Sequence, residues 1–232
     1  TAGVAGGLVG GQSSGDITNS HAIGSVSGKN YVGGLVGFQS SGSISDSYAE
    51  GSVTGTGNDF YYGGLVGVVS GGSITKSYAT GGVSGANCVG GLVGYGSNVT
   101  NSYWDKDKNG QLTSGGGTGL TATQMKEAKW YANWDTENVW YLNGGQSAPL
   151  LRSFLTPLTV KADAATKVYD GSAAAGPTNA IYTPGTYDTS KVLGTLTWSG
   201  NTDAGTYGLS GLYTTGQQGY LISYDSASKL II

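Results

Sequence analysis

Gly6-Gly7-Leu8-Val9-Gly10 is a five-residue string that returns unchanged at residues 33–37, 63–67 and 90–94, at spacings of 27, 30 and 27 residues. A second block follows each copy: Asp16-Ile17-Thr18-Asn19-Ser20-His21-Ala22 reappears in altered form at residues 43–49, 73–79 and 98–104. A third, Ser25-Val26-Ser27-Gly28, reappears at residues 52–55 and 82–85. Three short β-prone blocks per period, separated by Gly, Ser and Asn, are what one coil of a parallel β-solenoid requires. Coils stacked ~4.8 Å apart bring equivalent residues over one another. Leu8, Leu35, Leu65 and Leu92 are therefore expected to form one internal ladder, and Ile17, Ile44, Ile74 and Val99 a second. Val26, Val53 and Val83 supply a third wall.

The 44 glycines among 232 residues exceed the ~7% usual in globular chains and would suggest disorder, were they not periodic. Charged residues make up 11% of the chain and the net charge is −3, which leaves no basic face for a phosphate backbone; nucleic acid is excluded as an expected partner. No apolar run approaches ~18 residues, so no membrane insertion is expected, and the chain opens inside a repeat without a signal peptide, as a piece of something longer would. One cysteine, Cys88, and one histidine, His21, provide neither a disulfide framework nor a zinc cluster. His21 shares its repeat position with Tyr48, Tyr78 and Tyr103, so it reads as a substitution within a structural column and not as a catalytic base.

After Asn101 the pattern dissolves into a polar stretch and a glycine-rich loop, residues 115–119. Thr121 and Gln124 fit a capping box and Leu120 and Met125 a hydrophobic staple, predicting a helix over residues 122–130. Residues 139–142 and 150–155, joined across Asn143-Gly144, predict a hairpin. A solenoid end exposes unpaired strand edges, so Trp130, Trp134, Trp140 and Tyr141 are expected to pack over the last coil; the competing reading makes the same four a sugar-stacking platform. Beyond Pro157 the repeat gives way to short alternating strands, at residues 158–160, 167–169, 192–198, 205–209, 220–224 and 230–232. The predicted fold is all-β: a right-handed parallel β-solenoid of about four coils (residues 1–104), a short helical and aromatic C-terminal cap (105–156), and a small, mostly β domain (157–232).

Catalytic constellations were sought and no catalytic residue is assigned. Asp16, Asp46, Glu50 and Asp59 sit at different repeat positions, a scatter that suits solvated charges better than the facing carboxylates of a polysaccharide hydrolase or lyase, and no nucleophile elbow or phosphate loop is present. Asp105, Asp107, Asn109 and Gln111 place oxygen atoms at alternate positions around the turn glycine Gly110, matching the first half of a calcium loop. The twelfth position is Gly116 where a bidentate glutamate belongs, and the other reading is a plain polar turn, with no cofactor.

The Gly-Gly-Leu-Val-Gly blocks, taken with Ser-Ile-x-x-Ser-Tyr-Ala, resemble the GLUG repeat of filamentous-haemagglutinin-like adhesins and some secreted immunoglobulin A peptidases over roughly residues 1–155. The trailing Asn101-Ser102-Tyr103-Trp104-Asp105, Thr123-Gln124-Met125 and Trp140-Tyr141 are similar to the way such arrays end. Val168-Tyr169-Asp170-Gly171, Asp203-Ala204-Gly205-Thr206-Tyr207 and Lys229-Leu230-Ile231-Ile232 resemble an MBG/YDG-type domain. The pairing implies a non-enzymatic, two-partner-secreted adhesin, exported through an outer-membrane pore, displayed at the bacterial surface and meeting a host-cell or matrix receptor or a polysaccharide. The resemblance supplies no set of binding residues.

Overall fold

A computed structural model describes residues 3–58, 60–200 and 202–232. The chain divides into two compact units, Thr1–Val139 and Trp140–Ile232. The first is a parallel β-solenoid of about four coils. In the second coil the strands are Tyr31–Gly33, Val36–Gln39, Ser43–Ser45, Tyr48–Ala49 and Val53–Gly55, and their counterparts in neighbouring coils pair in parallel to form five ladders. The three expected blocks thus become five strands. Two features cause the extra breaks. The Gly-Gly-Leu-Val-Gly string contains a turn at Gly34 and Leu35, where a Cβ on Gly34 would fall 2.2 Å from the Gly64 carbonyl oxygen, so only glycine lets successive backbones stack this closely. The second block is broken by a residue in the left-handed region: Asn19, Asp46, Lys76 and Asn101 have φ of 46°, 47°, 47° and 47°.

The expected ladders form in register. Ile17 pairs with Ile44, Ile44 with Ile74 and Ile74 with Val99, while Val53 pairs with both Val26 and Val83. The Leu8, Leu35 and Leu65 amides each donate to the carbonyl of the next leucine in the column, at 3.0, 2.9 and 2.8 Å. Leu35, Leu65 and Leu92 are fully buried, whereas Leu8 in the first coil, over which no described residue stacks, is 49% exposed. Burying such a side chain contributes roughly 1.5–3 kcal/mol.

The segment expected as a single helix over residues 122–130 is instead two 3-10 turns, Gln124–Lys126 and Ala128–Tyr131. The capping box does form: the Thr121 amide donates to Gln124 Oε1 (2.9 Å) and the Gln124 amide to Thr121 Oγ1 (3.1 Å), with Leu120 and Met125 buried. Extended backbone at Glu127 (φ −88°, ψ 121°) then stops the helix, and tertiary packing replaces it as the Tyr131 hydroxyl donates to the Met125 carbonyl at 2.6 Å.

The expected hairpin is present as Trp140–Tyr141 against Leu150–Leu151, but it belongs to the second compact unit, so the segment expected to act as one cap over residues 105–156 is divided. That unit also holds Thr156–Lys161 between Ile181–Thr183 and Tyr220–Tyr224, and its core gathers Leu158, Val160, Trp198, Leu209, Ile222 and Leu230. Residues 167–169 are not the strand predicted for them. Lys167 Nζ reaches Asp170 and the Ser172 carbonyl, and the Ser172 amide donates to Asp170 Oδ1, which folds this stretch into a turn and leaves Val168 87% exposed.

Candidate functional site

The second half of the second repeat block builds four side-by-side columns, and its repeated serine is used inside the fold. The first column is the left-handed one. The second is serine: Ser20, Ser47 and Ser77 each donate a backbone N–H to the hydroxyl of the serine one coil on, at 3.1, 3.2 and 3.1 Å. Each hydroxyl in turn donates to a carbonyl two residues back, Ser47 to Ser45 and Ser77 to Thr75, both at 2.8 Å. The third is the aromatic column, His21 on Tyr48 (centroids 5.3 Å, 14°) and Tyr48 on Tyr78 (4.7 Å, 4°). His21 is therefore a member of a stack, and desolvation holds its imidazole below the ordinary value. Burial pushes the Tyr48 and Tyr78 phenols up, which keeps both neutral. The fourth column is Ala22, Ala49 and Ala79, and the last coil has Trp104 at this position.

Trp104 was not singled out by sequence. Its indole plugs the end of the solenoid core and rests on Gly91 and Gly119, where a Cβ would lie 2.2 and 2.8 Å from the ring, and its Nε1 donates to the Gln111 carbonyl (3.0 Å). A spacing alignment would have found it as the one bulky residue in an alanine column.

The four aromatic candidates fall in two different compact units, Trp130 and Trp134 in the first and Trp140 and Tyr141 in the second. Trp130 and Trp134 lie against the flank of the tyrosine stack: Trp134 is buried, with centroids 6.4 Å from Tyr78 and 5.9 Å from Tyr103, and Trp134 Nε1 donates to the Asn101 carbonyl (2.9 Å). Tyr103 donates its hydroxyl to the Trp130 carbonyl (2.6 Å). Alternation along the short strand sends Tyr103 to this flank and Trp104 to the core, which is why the aromatic cluster sits beside the stack while Trp104 closes the end. Trp140 and Tyr141 belong to the hairpin of the second unit, with Trp140 fully buried and the Arg152 guanidinium 5.5 Å from the Tyr141 ring.

Asp105, Asp107, Asn109 and Gln111 are directed at different partners. Asp105 caps the turn Lys106–Asn109, its Oδ1 accepting from the Asp107 and Lys108 amides (both 3.1 Å), and Asp107 Oδ2 accepts from the Ala122 amide (2.8 Å). Asn109 Nδ2 donates to the Gly81 and Gly91 carbonyls (2.8 and 3.0 Å), and Gln111 Nε2 to the Val83 carbonyl (3.0 Å). Two of the four thus turn N–H groups toward the last coils, and this donor set does not fit calcium. Among the remaining carboxylates, Asp16 accepts from the Ser43 amide and hydroxyl, Asp46 occupies the left-handed column and Glu50 follows the tyrosine strand on the surface; Asp59 lies outside the described residues. None of these positions pairs with another in the coil register.

The coils also account for what the chain is similar to. The GLUG motif matches twice, at residues 28–54 and 58–84. These GLUG stretches make up most of the second and third coils, the two that have neighbours on both sides. The first and fourth coils carry the same ladders, each with one neighbouring coil among the described residues. No curated protein and no solved structure matches the chain.

Proposed function

We propose that the chain is a non-catalytic structural and display segment of a secreted bacterial surface adhesin. In this reading it leaves the cell through an outer-membrane pore by two-partner secretion, the second unit being an MBG/YDG-type domain, and it serves attachment to host cells, matrix or biofilm. The observation that carries the reading is the use of the repeated residues. Serines, tyrosines, leucines and isoleucines that recur from coil to coil are consumed in holding one coil on the next, which is what a spacer of adjustable length needs. Each added coil extends it by ~4.8 Å. The GLUG matches support a structural repeat, and the scattered carboxylates support a segment without turnover.

The test is made on cells producing the full-length protein. External protease and an antibody against residues 3–139 should both reach this segment, and deleting it should reduce attachment to abiotic or host surfaces. A segment protected from protease in intact cells would refute display. Incubation with polysaccharides and immunoglobulin should release no new ends; release abolished by Asp46→Asn or Glu50→Gln would refute the non-catalytic part.

A further inference from the structure

The solenoid carries two kinds of aromatic stack. Tyr48 and Tyr78 are sealed inside, whereas a second row runs across coils two to four on the outside. Tyr31 and Phe38 have centroids 5.6 Å apart (29°), Tyr31 and Tyr61 6.1 Å (25°), and Tyr61 and Tyr95 4.7 Å (37°). The first three are half-buried and Tyr95 is 57% exposed. Stacked or tilted on one another within and between coils, these rings form a continuous stripe, beyond the isolated apolar residues that any surface shows.

At its Tyr95 end the stripe runs into an open cleft of about 610 Å³ lined by Val69, Ser70, Tyr95, Ser97 and Gly115, together with Gly94 and Gly96. Bare backbone floors the cleft by necessity, since Gly96 has φ of +118° and a Cβ there would fall 2.1 Å from the Val69 carbonyl oxygen. Neither stripe nor cleft contains a charged side chain. A phosphate or uronate ligand would be stripped of water there with no cation to receive it. What the surface does offer is the open ring face of Tyr95, the outer edges of the rings packed behind it, phenol and serine hydroxyls, and exposed peptide groups.

We propose that this stripe and cleft bind a neutral polysaccharide. The open face of Tyr95 packs against the C–H face of one pyranose unit, and Ser70, Ser97 and the cleft backbone take hydroxyl groups of that unit and the next. This goes beyond display, and it stands or falls independently of where the protein resides.

The test is affinity gel electrophoresis of the purified chain in gels containing hydroxyethylcellulose, galactomannan, dextran or alginate. Retardation is expected in at least one of the three neutral gels and in excess of that in alginate. Tyr95→Ala should weaken it about tenfold, the scale of losing one ring stacked on a ligand, and Tyr95→Phe should hold it within about threefold. Ser70→Trp, which fills the cleft and leaves the stripe intact, should weaken it as well, while Trp130→Ala on the other flank should not. Thermal midpoints of these variants near that of the parent establish that they are folded. No retardation in any neutral gel, retardation in alginate alone, or full affinity in both Tyr95→Ala and Ser70→Trp would overturn the proposal.

Discussion

The left-handed column shows how a single residue position carries a repeat. Asn19, Asp46 and Asn101 are side chains that tolerate positive φ, and Lys76 at φ 47° is the exception, holding a conformation that is unfavourable for a long L-residue. Lys76→Asn should therefore stabilise the chain, by up to about 1 kcal/mol, read as a raised denaturation midpoint. The exposed Asp135 that Lys76 helps to keep ionised is a weak counterweight. His21 supplies a second exception, with a different signature. Desolvation lowers its folded pKa below the ordinary 6.5, so the unfolded chain binds the proton more readily. Stability from this residue is present above about pH 6.5 and is lost as pH falls from there through the lowered folded value. His21→Tyr, which restores the residue of the next three coils, should remove that part of the acid sensitivity: the variant should lose less midpoint than the parent between pH 7.5 and pH 5. An equal loss in both would show that His21 does not contribute.

At the scale of the element, the ladders make an unequal prediction for two substitutions of similar appearance. Leu65 is fully buried between Leu35 and Leu92, so Leu65→Ala should cost about 2–5 kcal/mol, whereas exposed Lys29→Ala should cost little, by chemical denaturation. Comparable small losses would mean that the coil register is wrong. The ladders were legible in the sequence because burial and stacking act at the period of the repeat, and four aligned leucines or isoleucines can be read without a structure. The five-strand division was less legible. It depends on where a backbone must turn, and a lysine in the left-handed column hides one of the turns. The helix over residues 122–130 failed for a related reason: its cap residues behave as local rules require, yet Tyr131 and Trp134 are drawn onto the tyrosine stack, and packing overrides helix propensity. The half calcium loop left two readings open because alternate oxygen-bearing side chains also suit a turn that fastens itself to nearby carbonyls. Thermal midpoints should accordingly be alike in excess chelator and in millimolar calcium, and a large rise with calcium would restore the metal reading. The outer stripe draws on two repeat positions, Tyr31 with Tyr61 and Phe38 with Tyr95, and these two positions meet only once the coils are wound.

The whole first unit behaves as a one-dimensional stack, in which each coil is stabilised by its neighbours and the ends decide how far order extends. Its two ends are built differently. At the first coil, Leu8 and Ile23 lie 49% and 55% exposed and nothing among the described residues stacks beyond them. The fourth coil is finished by its own chain: the Gly91 amide donates to the Thr113 carbonyl (2.9 Å), Leu92 and Val93 donate to Ser114 Oγ (3.2 and 2.9 Å), and Thr118–Leu120 adds a last parallel strand to Tyr103–Asp105. One hydroxyl thus satisfies two strand amides that would otherwise form a raw edge, while Trp104 seals the core behind them. Ser114→Ala should leave both amides without an acceptor and cost about 1–3 kcal/mol. The readout that separates this role from a general loss of packing is native-state hydrogen exchange. Leu92 and Val93 should lose protection first and most, and Leu35 and Val36, two coils away, should change only as much as global stability does. Uniform loss across all coils would mean that the stack opens as one unit and that Ser114 is not an edge cap. In this chain, the same measurement should find the fourth coil better protected than Val4–Gly6 and Val9–Gln12, because among the described residues only the fourth coil is covered by a further strand and a hydroxyl cap.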